Sequence, residues 1–357
     1  MKNRLLFCGI VFAALLGSAA GAAAQPFAVG PLSAQPGRRI SGFLEVPDGA
    51  DKGTRIPVTI LHGAKPGPVL ALIAGTHGYE YAPILALQKL RGQIDPQELA
   101  GTVILVHIAN LPSFLGRTIY YSPIDAKNLN RVYPGKADGT VSERIAYAIT
   151  TEVIERADYV VDLHCGDGNE ALRPYAYWGR SGDSQVDEAS RQLALAFGLD
   201  HIVMDTSRPA NPAASTFTDN TALTRGKPAI TTETGQLGET SPEWVALAER
   251  GVWNLLRHLK MIPGELAPPL QARAWATVWI DRYEVLRSPE TGIFYAEAKP
   301  GYAVAQGALL GRLTDLFGNH LADIRAPFAG VVNYVVATPP VSKGEPLAMV
   351  GHIKKEE

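Results

Sequence analysis

Apolar residues in this chain fall into short continuous runs that alternate with amphipathic stretches. The run Val69-Leu70-Ala71-Leu72-Ile73-Ala74 is apolar at every position, as a strand buried on both faces requires, and it breaks at Gly75. Beyond Glu80, the positions Ile84, Leu85, Leu87 and Leu90 recur with helical spacing. They predict a helix to about Leu90, with Gly92 as its stop. The same reading predicts buried strands over 102–108, 159–164 and 228–233 and helices over 142–157, 189–197 and 242–260. Residues 25–68 hold shorter alternations such as Ile56-Pro57-Val58-Thr59-Ile60-Leu61, divided by Gly and Pro, which read as edge strands. Strands alternating with helices predict an α/β fold: a mostly parallel mixed sheet covered by helices on both faces.

The texture changes at Pro263 to Pro269. From Ala272 onward the chain shows short β-like runs at 275–280, 292–296, 308–313, 330–336 and 347–350, many glycines and no helical pattern. The expected organisation is therefore an α/β domain over 25–268 and a small all-β sandwich-like or barrel-like domain over 269–357. The phrase Ile324-Arg325-Ala326-Pro327-Phe328-Ala329-Gly330-Val331-Val332 resembles half of a biotinyl/lipoyl-type sandwich. The turn after Val336 runs Ala337-Thr338-Pro339-Pro340 and lacks that domain's modified lysine, so the expectation is a structural or substrate-gating role.

Residues 1–24 read as a signal peptide. Lys2 and Arg4 precede an apolar core from Leu5 to Leu16, and Ala22-Ala23-Ala24 supplies an A-x-A cleavage pattern. The core is shorter than the roughly 20 residues a spanning helix needs. The expectation is an exported protein with no stable membrane insertion, periplasmic if the source is Gram-negative. Removing the leader leaves 31 basic against 35 acidic side chains, a net charge of −4. Without a basic block, a nucleic-acid partner is not expected. One cysteine, Cys165, remains, so no internal disulfide forms.

Candidate chemistry gathers at the ends of the predicted strands, where open α/β sheets bind ligands. His77 and Glu80 follow the first core strand three residues apart, a spacing that puts both on one face of a starting helix. His164 ends the run Asp162-Leu163-His164 and completes a His₂Glu set of the kind that leaves a catalytic zinc its fourth position. Asp162 shares its strand face with His164 and can accept a hydrogen bond from an imidazole; Cys165 faces the other way and reads as a small buried thiol. Glu233 ends another buried strand in Thr231-Thr232-Glu233-Thr234-Gly235, where a carboxylate can move a proton. Asn128-Leu129-Asn130-Arg131 sets an arginine fork beside an amide, a pairing suited to a carboxylate, and Arg117 is a candidate for stabilising an oxyanion.

Gly75-Thr76-His77-Gly78-Tyr79-Glu80, Asn128-Leu129-Asn130-Arg131, Asp162-Leu163-His164 and Thr232-Glu233-Thr234-Gly235 occur in that order. Together they resemble the succinylglutamate desuccinylase/aspartoacylase family, related to the zinc carboxypeptidases, over about 55–350. The resemblance implies one zinc ion per chain held by His77, Glu80 and His164. It also implies Glu233 as general acid/base, Asn130 and Arg131 as a carboxylate clamp and Arg117 as oxyanion stabiliser. The expected activity is hydrolysis of the amide bond of an N-acyl amino acid or similar small carboxylate-bearing substrate. Two alternatives use the same residues: an exported metallocarboxypeptidase acting on short or cell-wall peptides, and a non-catalytic binding protein on the same fold.

Overall fold

The computed structural model describes residues 25–268 and 277–354. The expected signal peptide, the boundary stretch 269–276 and the last three residues lie outside the described residues.

The chain opens with a small hairpin, β1 (Phe27–Val29) and β2 (Leu32–Ala34), followed by β3 (Arg38–Val46), β4 (Thr54–His62) and β5 (Lys65–Ala74). Next come α1 (Tyr81–Gln93), β6 (Ala100–Val106), α2 (Leu111–Gly116), α3 (Val141–Ile149), β7 (Tyr159–His164), β8 (Glu170–Leu172) and β9 (Tyr175–Gly179). The α/β part continues through α4 (Ser184–Phe197), β10 (His201–Asp205), α5 (Thr218–Leu223), β11 (Ala229–Glu233) and α6 (Pro242–His258). The remaining strands are β12 (Val278–Arg287), β13 (Gly292–Ala296), β14 (Ala303–Val304), β15 (Leu309–Thr314), β16 (His320–Arg325), β17 (Gly330–Val336), β18 (Pro340–Val341) and β19 (Pro346–Ile353).

The centre of the large sheet runs β6-β5-β7-β11, four parallel strands; β4 and β3 add antiparallel beyond β6, and β9 adds antiparallel beyond β11. The apolar runs alternate in role. Leu70, Leu72, Val103, Leu105, Val161, Leu163 and Ile230 pack beneath α1, α4 and α6, while Ala71, Ile73, Ile104, Val106, Val160 and Ala229 pack with α3 and α5 on the other face. Each fully buried Leu or Ile in these layers contributes about 2 kcal/mol of transfer free energy. From β5 the chain crosses to β6 on one side and then to β7 on the other, so a crevice opens at the carboxyl ends of β5 and β7.

Some expected boundaries move for identifiable reasons. Gly92 does not stop α1, which runs to Gln93 before the extended Ile94 ends it. The helix expected over 142–157 starts with a Thr140/Glu143 capping box and stays α-helical only to Ile149; a wider π-type turn over Thr150–Ile154 completes it. Strands β9 and β10 carry no long aliphatic run: Tyr175–Gly179 is mostly aromatic, and His201–Asp205 begins and ends on a polar residue. Among the described residues, the C-terminal region holds no helix. Its first strand, β12, pairs in parallel with β10 and antiparallel with β19, so the C-terminal sheet continues the large one.

Candidate metal centre and cavity

Gly75 adopts φ +70°, a left-handed turn that glycine takes without strain, and carries the chain off the end of β5. Gly78 follows where a Cβ would lie 2.3 Å from the carbonyl oxygen of Thr118, so only glycine fits. The turn is not the first turn of a helix: α1 begins at Tyr81, and Glu80 is its N-cap with φ −80° and ψ 64°. The expected helical placement of His77 and Glu80 is thus corrected. A tight turn closed by the His77 backbone N–H donating to Glu80 Oε2 at 3.1 Å brings the two side chains together instead.

Glu80 Oε1 lies 2.7 Å from His77 Nδ1 and 2.8 Å from His164 Nδ1. The three ligand-capable atoms lie within 4.8 Å of one another, and all three residues are buried. The far side of each imidazole is also held. His77 Nε2 donates to Asn128 Oδ1 at 3.2 Å, and His164 Nε2 faces Asp162 Oδ2 at 2.9 Å. Both partners accept, which fixes the proton on Nε2 and turns each Nδ1 lone pair inward. A convergent, buried N,N,O donor set with oriented imidazoles fits a divalent zinc-type ion. Burial disfavours charge here, but His164 and His77 hold the Glu80 carboxyl well below its ordinary range. Glu80 in turn outweighs burial and raises the His77 imidazole; Asp162 and Glu80 raise that of His164.

Strand register supplies the next member. Glu233 is the Cα partner of His164 across β11 and β7, so both side chains leave the same face at the same strand end. Burial pushes the Glu233 carboxyl well above the ordinary range; the His164 charge opposes this and the neighbouring acids Glu80, Glu170 and Asp162 add to it. Cys165 packs with Ala82, Ala86 and Val245 behind the strand and takes no part.

A cavity of about 580 Å³ opens over this cluster. Asn130 and Arg131 both line it. Asn130 Oδ1 accepts from the Thr218 backbone N–H at 3.0 Å and hydroxyl at 3.1 Å, and its Nδ2 lies 3.5 Å from Asp162 Oδ2. Both ends of the Asn130 amide are thus held by protein. The Arg131 guanidinium sits 4.8 Å over the Phe217 ring with Nη1 donating to its neighbour's carbonyl, and it forms no ion pair among the described residues. Arg117 is the exposed C-cap of α2 in a left-handed conformation, φ 50°. It lines a separate groove with Tyr81, Phe114 and Leu115, away from the His–Glu–His cluster.

The cavity also contains residues the sequence patterns did not single out. Tyr283 and Arg287 come from β12, Tyr334 from β17 and Tyr177 from β9, while Arg208 follows β10. Arg208 is tied to Asp205 at 2.9 Å and to Asp219 at 3.2 Å. These positions carry no local motif; a run such as Val278–Arg287 looks like any amphipathic strand, and only sheet continuity turns its inner face toward the site. Asn128 belongs to the Asn-Leu-Asn-Arg motif, but its bond to His77 spans 51 positions and no local pattern encodes it.

A family model for the succinylglutamate desuccinylase/aspartoacylase catalytic domain matches residues 66–259. The N-alpha-acetyl-L-2,4-diaminobutyric acid deacetylase of Halomonas elongata is 31% identical over 319 residues, covering 87% of this chain and 91% of that protein. The product-bound ectoine utilization protein EutE from Ruegeria pomeroyi is similar in structure, with TM-score 0.77 and 28% identity over 88% of this chain and 95% of that one. A succinylglutamate desuccinylase/aspartoacylase structure from Rhodobacter sphaeroides matches with TM-score 0.78 and 25% identity over 88% and 96%. With the motifs, the register that joins them and these likenesses in agreement, the chain belongs to the succinylglutamate desuccinylase/aspartoacylase family.

Proposed function

We propose that the protein is a zinc-dependent deacylase that hydrolyses the amide bond of a small N-acylated amino acid. The observation that carries this reading is the convergence of His77, Glu80 and His164 with Glu233 beside them at the paired ends of β7 and β11. The family membership and the 31% identity to a deacetylase support the amide-cleaving class.

His77, Glu80 and His164 would hold the ion. Such an ion supplies Lewis-acid polarisation of the scissile carbonyl and lowers the pKa of a water towards 7. Asn128 and Asp162 keep the imidazole N–H groups turned away from the centre. Glu233 takes a proton from the attacking water and passes it to the leaving nitrogen as the C–N bond breaks, yielding a carboxylic acid and a free amine. Its raised pKa suits the second half of that task, where it must donate. Arg131 holds the substrate carboxylate with the open side of its fork.

The C-terminal strands bring Tyr283, Arg287 and Tyr334 to the cavity wall, which favours a small substrate over an extended peptide. Glu233→Gln tests the assignment: the variant should retain about one zinc per chain while kcat falls at least about a hundredfold. Unchanged turnover on a hydrolysed substrate would remove Glu233 from the chemistry.

A further inference from the structure

The acids that line the cavity are not alike. Glu80 is engaged by the two histidines, Glu233 stands beside His164, and Asp205 is bound by Arg208 and accepts from Ser207 and Tyr283. Glu170, like Glu233, forms no ion pair among the described residues, but unlike Glu233 it is oriented by two hydrogen bonds. Its Oε1 accepts from the Tyr120 hydroxyl at 2.8 Å and its Oε2 from the Asp167 backbone N–H at 3.2 Å. A carboxylate has about four acceptor positions, so these two bonds orient the group and leave acceptor capacity toward the cavity.

The scaffold around Glu170 is built to hold it still. It begins β8, and its Cα pairs with Val336 of β17, where the α/β sheet meets the C-terminal strands. Tyr120 in turn stands in a left-handed backbone conformation, φ 60°, with its N–H donating to Asp167 Oδ2 at 2.9 Å and its ring edge-on to His77 at 6.0 Å. Strained backbone of this kind persists where surrounding contacts over-determine it. The acid therefore sits close to the reacting centre rather than at the rim. Burial pushes its pKa up to about 7, which marks a carboxylate short of positive neighbours.

The opposite imbalance occurs elsewhere on the wall. Arg131 and Arg287 form no ion pair among the described residues; each donates to a backbone carbonyl, of Asn130 and Gly344, and keeps further N–H groups available. A ligand complementary to the whole cavity therefore carries a carboxylate for the arginines and a cation for Glu170.

We propose that Glu170, braced by Tyr120, is a specificity-determining residue that receives a free primary ammonium of the substrate. The substrate class is then an N-acylated diamino acid rather than an N-acylated dicarboxylic or apolar amino acid. The inference rests on the deacylase reading and deepens it. The C-terminal strands, through the β8–β17 pairing, help to fix the group that reads the amine.

The test compares zinc-loaded protein on three N-acetyl amino acids of similar size: one with a side-chain amine, one with a neutral isosteric side chain and one with a carboxylate. The amine-bearing substrate should be favoured in kcat/KM by at least about tenfold, as a charge-assisted hydrogen bond implies. In Glu170→Gln that ratio should collapse towards unity through KM, whereas Tyr120→Phe, which keeps the carboxylate, should retain a clear preference. Equal rates on the amine and neutral substrates in the wild type, or equal losses on all three in Glu170→Gln, would overturn the proposal. If none of the three is hydrolysed, the deacylase reading fails, and calorimetric binding of the free diamino acid against its neutral analogue decides this one. Tighter binding of the diamino acid that Glu170→Gln abolishes supports the ammonium subsite, and indifference to the amine overturns it.

Discussion

A single carboxylate oxygen, Oε1 of Glu80, lies 2.7 Å from Nδ1 of His77 and 2.8 Å from Nδ1 of His164, joining residues 84 positions apart in the chain. His77 and Glu80 reach this point through a glycine turn, and His164 reaches it as the last residue of β7. The relationship makes Glu80 the member whose loss separates the two imidazoles. Glu80→Ala should therefore lower bound zinc well below one per chain, measured by metal analysis after dialysis, and abolish hydrolysis. Full zinc content in that variant would remove Glu80 from the ligand set.

Asp162 is fully buried, and its Oδ2 faces His164 Nε2 at 2.9 Å. Asp162→Asn keeps the shape but replaces a charged acceptor by an amide that can present its NH₂ to the ring. Losses of about 10–100-fold in zinc affinity are expected for such an outer partner. Competition with a chelator measures the change, and an affinity within about twofold of wild type would contradict the orienting role.

The imidazoles of His77 and His164 are both held above their ordinary pKa by neighbouring carboxylates in the metal-free protein, so they keep their protons to higher pH than free histidine. A ligand histidine must be neutral, and zinc must displace those protons. Apparent zinc affinity should therefore rise with pH, by up to about tenfold per pH unit for each proton released, from below the ordinary histidine value of 6.5 to above it. Chelator titrations across that range check the slope; a flat profile would mean that the histidines are not the ligands.

Arg131 and Arg117 should behave differently, although only 14 positions separate them in the chain. Arg131→Met removes a cation from the cavity and should raise KM for a carboxylate-bearing substrate at least about tenfold, as loss of a charged hydrogen bond implies. Arg117→Ala, on the exposed end of α2, should leave kcat and KM within about twofold. A large drop in kcat for Arg117→Ala would instead support an oxyanion role for this residue.

His107 is a buried histidine remote from any proposed chemistry. Its Nε2 shares a hydrogen bond with Thr59 Oγ1 at 2.9 Å, its Nδ1 has no partner among the described residues, and burial, helped by Arg91, lowers its pKa to about 4. The folded value lies below the unfolded one of about 6.5, so stability is full above about 6.5 and is lost as pH falls towards about 4. The loss approaches about 3 kcal/mol by linkage. His107→Gln cannot take up this proton. Its unfolding free energy, followed by denaturant titration, should fall less steeply than that of wild type over the same range.

The sequence by itself determined the parts that depend on nearby residues. The run Val69 to Ala74 reads as a buried strand, because an apolar residue at every position leaves no face for water. The four motifs place His77, His164 and Glu233 at strand ends, and strand ends of a parallel sheet share one edge. Tertiary structure decided everything that depended on which distant segments meet. The pairing of Glu233 with His164 is a matter of register between β11 and β7, which no local pattern encodes. Asn130 turned out to be held by Thr218 and Asp162 because α5 begins beside it, 88 residues further along the chain. Arg117 stands at the end of α2 on a different groove from the one that His77 and Glu233 line, a placement no local pattern encodes. Arg208, Arg287 and Tyr334 entered it because β10, β12 and β17 belong to one continuous sheet. Chemistry at strand ends is written locally, whereas the walls that select a substrate come from long-range packing, where each residue's direction is set by a neighbour far away in the chain.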